Sequence, residues 1–353
     1  MPAKSRTRKL RIGVAGLGRI GWSFHCKTLG NHKDWELAAV ADPAEDRRRE
    51  AEQTYGCRSF AGVEQMLDEA DLDAVTIATP THLHKQHALA ALRRGLHVML
   101  EKPMAPRLKE AQAIVRAAEK AKRILTVYQP HRAAAYFQHL KKIIDSGKIG
   151  QVYHIRRGSF RFVRRDDWQS LTKFGGGMLN NYGAHGLDQV LALTGYDVKE
   201  VFCNLRRVAS LGDAEDVVKI VYKTRDGAIG EIDINQATLL APYDIEVYGT
   251  RGAISKSRDE LTVRYFSPRQ LKPKTLNTSL ASTDRQYPND NVDFTTETIN
   301  VDPKYQVDVY KDLAQAIRAG KEPFVPAWQT LEVMKVMERC RKNSGRIIQT
   351  PLA

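Results

Sequence analysis

The sequence predicts an α/β domain built around a parallel sheet, followed by an α+β domain built around a mainly antiparallel sheet. The chain has 353 residues, and at roughly 100–200 residues per domain this length predicts about two domains. From residue 10 to about residue 128, short apolar runs alternate with longer stretches at helical spacing, which is typical of βαβ units. After Gly147 the pattern changes to alternating apolar and polar residues with turn signals. We therefore expect domains over 1–129 and 130–353.

The first domain is predicted to alternate strands with helices. The strand candidates are short apolar runs at 10–15, 36–41, 74–78, 96–100 and 124–127. The helix candidates lie between them at 20–30, 44–55, 63–69, 84–94 and 108–122. Gly56 and Gly95 follow the last periodic residue of a helix, where glycine commonly ends helices. Strands joined by crossover helices run parallel, so this half predicts a doubly wound parallel sheet.

The second domain is predicted to begin with a helix at 136–145 and to continue as antiparallel strands. Strands at 217–223 and 228–235 flank Asp226-Gly227, a dipeptide that favours a tight hairpin turn. Further strand candidates lie at 245–248, 253–255 and 261–266. The polar, proline-containing stretch 267–291 indicates a long loop or an arm that contacts another subunit. Helices are expected at 307–318 and 330–342, ending near Gly320 and Gly345.

Composition and charge exclude several classes of protein. The hydrophobic fraction of 42% with 27% charged residues is ordinary for a globular protein, and no apolar run is long enough to cross a membrane. The net charge of +14 suggests a polyanionic partner, but the basic clusters are dispersed and match no recognition motif, so nucleic acid is not favoured. These clusters lie at 4–11, 156–165, 206–207 and 272–274.

The four cysteines predict neither a metal site nor a disulfide framework. Cys26, Cys57, Cys203 and Cys340 are far apart in the sequence and form no C-x-x-C pair. No other cluster of metal-ligand residues is apparent. The basic N-terminus is followed by an apolar run too short for a signal peptide. We therefore expect reduced, mostly buried thiols and a cytoplasmic protein.

A glycine-rich turn after the first strand predicts a dinucleotide site. Gly16, Gly18 and Gly21 form G-x-G-x-x-G, with Arg19 and Ile20 between the last two glycines. In this context the glycines allow a tight turn, approach of a pyrophosphate and close helix packing. Asp42 ends the second strand, where a carboxylate accepts both ribose hydroxyls and repels a 2′-phosphate. The sequence therefore favours NAD over NADP, although Arg47–Arg49 follow closely. The alternatives are a purely structural turn and Asp42 as a helix cap.

Three further segments carry a resemblance to a known family. They are Ala78-Thr79-Pro80-Thr81-His82-Leu83-His84, Glu101-Lys102-Pro103, and the stretch 175–188 with sequence GGGMLNNYGAHGLD. Together with the glycine turn, they resemble the glucose–fructose oxidoreductase, inositol dehydrogenase and rhizopine-catabolism (Gfo/Idh/MocA) oxidoreductase family. The resemblance covers nearly the whole chain, since 144–150 and 248–252 are also similar to connectors of that family. The motifs are specific for the family and say little about the substrate.

The resemblance implies an N-terminal Rossmann domain and a C-terminal domain with a large open, mainly antiparallel sheet flanked by helices. One side of that sheet would carry the substrate pocket and the other often a subunit contact, which implies a homodimer or homotetramer. The implied reaction is NAD(P)-dependent hydride transfer at a carbinol carbon of a sugar, cyclitol or related polyol. In the family, the loop with Thr79, Pro80 and His82 lines the ribose and nicotinamide, and Glu101 and Lys102 also lie at the cofactor.

The resemblance also implies catalytic residues. Lys102 matches the active-site lysine and His185 the active-site histidine, whereas Asn181 stands where the family commonly has aspartate. Oxidising an alcohol requires a proton acceptor near neutral pH, which histidine is and which lysine becomes only when its pKa is lowered. The hypothesis is that His185 exchanges the proton, Lys102 orients the reacting oxygen and Asn181 holds a neighbouring hydroxyl.

Each of these residues has a structural alternative. Lys102 would be a surface lysine and His185 a histidine on a helix face. Asn181 would be a helix cap, in which case Asn180 could contact the substrate instead. His82 would also be a helix cap. Trp168 would either stack on a sugar face in the substrate site or anchor the chain by apolar packing.

Two other functions remain open from the sequence. One is a redox-neutral enzyme of glycosidase or epimerase type that keeps NAD tightly bound. The observation that supports it is the asparagine at position 181. The other is a non-catalytic nucleotide sensor with a regulatory role, which the presence of both Lys102 and His185 disfavours.

Overall fold

The computed structural model describes residues 8–280 and 292–350, and its first sheet contains six parallel strands. Their spatial order is β3-β2-β1-β4-β5-β6. Because the order reverses between β1 and β4, the carboxyl ends of these two strands open a crevice at which such sheets bind ligands. The strands are β1 (Leu10–Ala15), β2 (Trp35–Ala41), β3 (Arg58–Phe60), β4 (Ala74–Ile77), β5 (His97–Glu101) and β6 (Leu125–Tyr128).

Helices cover both faces of this sheet. The first begins as a π-helical turn, Gly21–Cys26, and continues as α1 (Lys27–Leu29). It is followed by α2 (Glu45–Tyr55), α3 (Val63–Glu69), α4 (His84–Arg93) and α5 (Leu108–Ala121). Gly56 ends α2 with φ of 66°, a left-handed conformation that costs glycine little.

The second sheet contains nine strands in the order β14-β13-β12-β11-β7-β10-β9-β8-β15. Most neighbours are antiparallel, while β7 with β10 and β8 with β15 are parallel. Gly227 makes the β9–β10 hairpin turn with φ of 96°. The strands are β7 (Val152–Phe160), β8 (Val198–Arg207), β9 (Val217–Thr224), β10 (Ile229–Asn235), β11 (Ile245–Gly249), β12 (Gly252–Ser257), β13 (Glu260–Tyr265), β14 (Thr295–Asn300) and β15 (Ile348–Gln349).

The remaining helices connect the two sheets and cover one face of the second. They are α6 (Pro130–Ala133), α7 (Ala135–Asp145), α8 (Ala184–Thr194), α9 (Val309–Ala319) and α10 (Ala327–Ser344). A π-helical turn, Leu179–Gly183, leads into α8, which packs on β7 and β10. Helix α9 returns to the first sheet, where Tyr310, Leu313 and Ala314 join the core around β1 and β2.

The predicted fold class is confirmed. The predicted elements of the first half lie within one or two residues of the observed ones, but the short strand β3 was missed. In the second half the sequence analysis missed β7, β8, β14 and β15 as well as α6 and α8. Between β13 and residue 280 the chain forms a single 3₁₀ turn, Pro268–Gln270, and the rest of the predicted loop, 281–291, lies outside the described residues.

Two expectations from composition can be compared with the described residues. The four cysteines are free and buried, as expected. Within 8–280 and 292–350, no helix has both the length and the apolar character needed to cross a membrane. The first residues of the basic N-terminal cluster, 4–7, are outside the described part of the chain.

Candidate functional site

The glycine turn lies at the carboxyl end of β1 and is held by close backbone contacts. Gly16 has φ of 94°, and a Cβ there would lie 2.7 Å from the Ala78 carbonyl oxygen. A Cβ at Gly21 would lie 1.8 Å from the Gly16 oxygen, so the helix can approach the turn only without a side chain. A Cβ at Gly18 would meet no atom within 4 Å. The first and third glycines are therefore required by packing, and the second leaves one side of the turn open.

Asp42 holds the glycine turn next to the start of α2. Its Oδ2 accepts a hydrogen bond from the Leu17 amide at 2.7 Å, and its Oδ1 accepts one from the Ala44 amide at 2.9 Å. The Arg47 guanidinium lies 3.6 Å from Oδ2. The carboxylate is buried, but its two oxygens offer further lone pairs for a ligand. The helix cap foreseen as the alternative for Asp42 is not observed, because the N-cap of α2 is Ala44. The structural contacts of Asp42 leave room for a ligand role.

His84 connects the loops that follow β4 and β5. Its Nε2 lies 2.9 Å from the Thr79 carbonyl oxygen and its Nδ1 lies 3.0 Å from the Pro103 carbonyl oxygen. The Thr79 hydroxyl lies 3.0 Å from His87 Nδ1. Both loops are thereby fixed at the crevice where the strand order reverses.

Glu101, the last residue of β5, is fixed by a chain of hydrogen bonds through the first domain. Its Oε1 lies 3.0 Å from His25 Nε2, and its Oε2 accepts the Lys102 amide at 3.0 Å. His25 Nδ1 lies 2.8 Å from the Tyr310 hydroxyl, which lies 2.9 Å from the Thr76 hydroxyl. The sequence analysis did not identify His25 or Tyr310, because α9 is remote from β5 in sequence.

Lys102 points from the end of β5 toward the second domain. Its Nζ donates to Asn181 Oδ1 at 2.9 Å and to the Asn181 carbonyl oxygen at 3.3 Å. Burial lowers the pKa of Lys102, the Glu101 carboxylate opposes that change, and the charges of Arg165 and Arg19 lower the pKa further. The surface-lysine alternative is therefore excluded, and the amine is closer to its neutral form than an exposed lysine.

Buried polar groups stabilise the turn Leu179–Gly183, which carries Asn181. Glu215 accepts the Leu179 amide at 2.9 Å, and a Cβ at Gly177 would lie 2.4 Å from the same carboxylate. The amide of Asn180 donates to the Gly175 carbonyl oxygen at 2.9 Å. Its Oδ1 accepts from Arg341 at 2.6 Å. Asn180 is therefore occupied by structural contacts, whereas Asn181 meets Lys102.

His185, on the first turn of α8, faces the same space with a defined tautomer. Its Nδ1 donates to Gln129 Oε1 at 3.0 Å, so Nε2 carries the lone pair. The ring centroid lies 4.4 Å from that of His131. Burial lowers the pKa of His185 well below its usual value, and the charges of Lys102, His131 and Arg157 lower it further. The imidazole is therefore neutral at pH 7.

Two adjoining cavities meet at these side chains. The larger has a volume of about 900 Å³ and is lined by Lys102, Asn181 and His185. The smaller, of about 100 Å³, is lined by Lys102, Asn181, Thr79 and Trp168. Five residues line both cavities, namely Ile20, Glu101, Lys102, Gln169 and Asn181.

Not every expected residue reaches a cavity. His82 is exposed and its ring packs 5.3 Å from that of Phe174, and Pro80 is exposed as well. Arg19 is exposed and lines the larger cavity. Trp168 is 39% exposed and lines the smaller cavity, so it is accessible to a ligand.

Several residues of the site were given no role by the sequence analysis, although the segment 128–132 was expected to lie on the substrate side. Gln129 orients His185, Gln169 lies 3.4 Å from the Asn181 amide nitrogen, and Tyr182 lines the larger cavity. His131 also lines that cavity, and burial lowers its pKa to about 4. Gln129 and His131 follow β6, and their position after a parallel strand was the available signal.

Comparison with known protein families gives two matches. Residues 10–129 match the sequence model of an oxidoreductase family with an NAD-binding Rossmann fold, described as GFO_IDH_MocA. Residues 137–255 match the model of the GFO/IDH/MocA C-terminal domain.

Individual proteins are similar over most of the chain. Myo-inositol 2-dehydrogenase of Thermotoga maritima is 30% identical over 256 residues, covering 69% of this chain and 74% of the relative. D-glucoside 3-dehydrogenase of Escherichia coli is 27% identical over 249 residues, covering 68% and 71%. A crystal structure of an NAD-binding protein from Listeria innocua has a TM-score of 0.80 at 24% identity, covering 96% of this chain and 98% of that one. The chain therefore belongs to the Gfo/Idh/MocA oxidoreductase family, as an enzyme that acts on CH–OH groups.

Proposed function

We propose that the protein oxidises a secondary alcohol of a sugar, cyclitol or related polyol and transfers the hydride to NAD. The observation that carries this proposal is the meeting of Lys102, Asn181 and His185 in one cavity beside the glycine turn. The named relatives act on inositol and on glucosides, which supports a polyol substrate.

The glycine turn fits the phosphates of a dinucleotide. Its open side at Gly18 leaves space for a pyrophosphate, and the amide groups at the start of the helix after Gly21 favour negative charge. Bound there, the nicotinamide ring supplies the hydride acceptor. We infer that NAD is preferred over NADP because the Asp42 carboxylate repels a 2′-phosphate. Replacement of Asp42 by serine is expected to raise kcat/KM with NADP relative to NAD.

We propose that Lys102 accepts the hydroxyl proton and that neutral His185 orients the reacting oxygen. This assignment reverses the roles expected from the sequence. His185 is buried near other positive groups, so a positive charge on its ring is costly, whereas burial already favours the neutral amine of Lys102. Asn181 positions the amine through its 2.9 Å hydrogen bond.

Nicotinamide reduction across a panel of cyclitols, sugars, sugar acids and sugar phosphates tests the function, with NAD and NADP in parallel. Lys102→Met is expected to abolish the signal, and His185→Asn to lower kcat while keeping the pH dependence of the parent enzyme. Lys109→Met is the matched control, because Lys109 is an exposed lysine on α5. A wild-type signal that survives in Lys102→Met would refute the proposal. If no substrate of the panel reduces the nicotinamide and NAD stays bound to the protein through dialysis, the redox-neutral alternative is favoured.

Two further expectations remain predictions. We infer a homodimer or homotetramer, which light scattering on the purified protein tests. The exposed leucines 239 and 240, which are 89% and 77% accessible, support an additional contact. The cytoplasmic location expected from the cysteines also stays a prediction.

A further inference from the structure

The larger cavity is lined by more positive than negative side chains. Lys102, Arg19, Arg161, Arg164 and Arg165 face Glu101, Asp166 and Asp167. Two of these three carboxylates already have partners. Glu101 contacts His25 and the Lys102 amide, and Asp167 pairs with Arg165. The cavity therefore has an excess of positive charge that its own residues do not neutralise.

Arg161 is the best placed of these cations for a ligand beside the reacting groups. Its backbone amide donates to the Asn235 carbonyl oxygen at 3.0 Å, so its position after β7 is fixed. Its guanidinium lies 4.4 Å from the centroid of the Tyr182 ring. The Tyr182 ring lies 6.5 Å from the His185 ring, so a single aromatic ring separates the guanidinium from the catalytic imidazole.

The neighbouring arginines of this strand differ from Arg161 in their pairing. Arg156 pairs with Glu231 and Glu246, and Arg157 pairs with Asp244. Among residues 8–280 and 292–350, neither Arg161 nor Arg164 has a carboxylate within ion-pair distance. Part of the basic stretch 156–165, which the sequence indicated to be dispersed charge with Arg164 and Arg165 at a pocket rim, therefore lines the cavity with guanidinium groups that have no ion-pair partner.

The cofactor phosphates do not account for these groups. Phosphates are expected at the glycine turn, where Arg19 lies, whereas Arg161 and Arg164 come from the segment after β7 in the second domain. A guanidinium fork matches the oxygens of carboxylate and phosphate groups in pairs. The anion that it fits therefore belongs to the molecule bound beside Lys102 and His185.

We propose that the polyol substrate carries an anionic group, a carboxylate or a phosphate, which binds Arg161 with support from Arg164. This inference rests on the proposed function, since it describes the substrate of the same site. The substrate class is a sugar acid or a sugar phosphate. Its neutral counterpart lacks the contact with Arg161, so binding should weaken without loss of the contacts to Lys102 and Asn181.

Calorimetry on the NADH-loaded protein, which cannot accept a hydride from the ligand, tests the proposal with matched ligand pairs. The pairs are D-gluconate with D-sorbitol, D-glucuronate with D-glucose, and glucose 6-phosphate with glucose. At least one anion is expected to bind about tenfold more tightly than its neutral partner. The preference should fall as salt is raised, because the cavity is open to solvent. The carboxylate and phosphate pairs distinguish the two sources of charge.

Variants test whether Arg161 causes the preference for the anionic ligand. Arg161→Gln should remove the preference for the anion and leave the affinity for the neutral partner unchanged, and Arg161→Lys should restore part of the preference. Arg116→Gln, which removes an exposed positive charge from the solvent side of α5, should change neither affinity. Thermal unfolding of each variant verifies that it is folded. Equal binding within every pair, or a preference that persists in Arg161→Gln, would overturn the proposal.

Hydride transfer with the same pairs separates this inference from the proposed function. Oxidation of neutral and anionic partners with equal kcat/KM would support the dehydrogenase and overturn the anion subsite. Tight, Arg161-dependent anion binding without nicotinamide reduction would support the subsite and count against the dehydrogenase.

Discussion

Replacing Asn181 by aspartate introduces the residue that the family resemblance implies at this position and places a carboxylate against Lys102. The side chains are nearly isosteric, so the new oxygen should occupy the present position of Oδ1, 2.9 Å from Lys102 Nζ. A negative charge at this distance favours the ammonium form and therefore raises the pKa of Lys102. If Lys102 accepts the proton, alcohol oxidation by the variant should require a higher pH.

The size of the effect follows from the distance. Two unit charges 2.9 Å apart attract each other by about 6 kcal/mol at an effective dielectric constant of about 20. Desolvation of the new carboxylate offsets much of this attraction. If about a third survives, roughly 2 kcal/mol remains, which lowers the neutral fraction of Lys102 about thirtyfold at a pH below its pKa.

The assay is the pH dependence of kcat/KM in both directions with a substrate from the panel. In the oxidative direction the parent enzyme should lose activity as the pH falls through the pKa of Lys102, because the amine becomes protonated. The variant should lose activity at a higher pH. In the reductive direction the ammonium donates the proton, so the variant should retain activity to a higher pH than the parent.

Asn204→Asp serves as the control, since Asn204 lies on β8 and its Oδ1 already accepts from Arg206 at 3.0 Å. It adds the same charge outside the two cavities and should leave both pH profiles unchanged. An unchanged profile in Asn181→Asp, or a change toward lower pH in the oxidative direction, would refute the assignment of Lys102 as the proton acceptor.

Three further changes test the surroundings of the site. Gly18→Ala should leave the melting temperature unchanged but weaken NAD binding about tenfold or more by calorimetry, because its methyl group meets only the space left for the phosphates. Arg132→Met should lower the free energy of unfolding by about 3–5 kcal/mol in urea titrations, because it leaves the buried Asp188 carboxyl group without its partner. Glu215→Ala should reduce kcat/KM and cost about 1–3 kcal/mol of stability, since the Leu179 amide loses its acceptor.

Each of these changes has a comparison that isolates its cause. Gly62→Ala adds the same methyl group where no atom lies within 4 Å, at the start of α3 and not in the glycine turn, and should weaken NAD binding less than Gly18→Ala. Glu215→Gln keeps an acceptor oxygen and should retain most of the activity. For the buried pair, Arg58→Met removes an exposed arginine and should change stability little. A lower melting temperature in Gly18→Ala would contradict the reasoning, and so would an unchanged free energy of unfolding in Arg132→Met.

The elements of the first domain could be predicted because their signals are local. Each strand is a short apolar run, each helix repeats at helical spacing, and the glycine turn combines both within residues 10–30. The second sheet was harder. Strand β7 carries Arg156 and Arg157 on opposite faces. Arg156 pairs with carboxylates of two neighbouring strands and Arg157 with Asp244 just before β11, so the sequence of β7 lacks the apolar alternation of a half-buried strand. Strand β14 is an edge strand, and Ile299 is its one apolar residue, so it offers little apolar signal in the sequence.

The site was predictable to the extent that its residues follow strands or stand in a family motif. Lys102 and Asn181 were named from the sequence, but the hydrogen bond between them joins two domains and has no local signal. The hydrogen bond between Gln129 and His185 has no local signal either. The pKa directions depend on burial and on the number of charges nearby, and both are set by the folded arrangement. The expected role of His185 changed for this reason.

The contribution of α9 to the first core has a consequence for how the protein is made. Trp35 and the first strand are covered by Tyr310 and Leu313, and Tyr310 also completes the hydrogen-bond chain that fixes Glu101. These residues are synthesised long after the first sheet has left the ribosome. During synthesis the apolar face of the nucleotide-binding half therefore stays exposed until the 309–319 segment leaves the ribosome. A chain terminated early would lack both that cover and the anchored carboxylate, so prematurely ended products should be inactive and prone to aggregate.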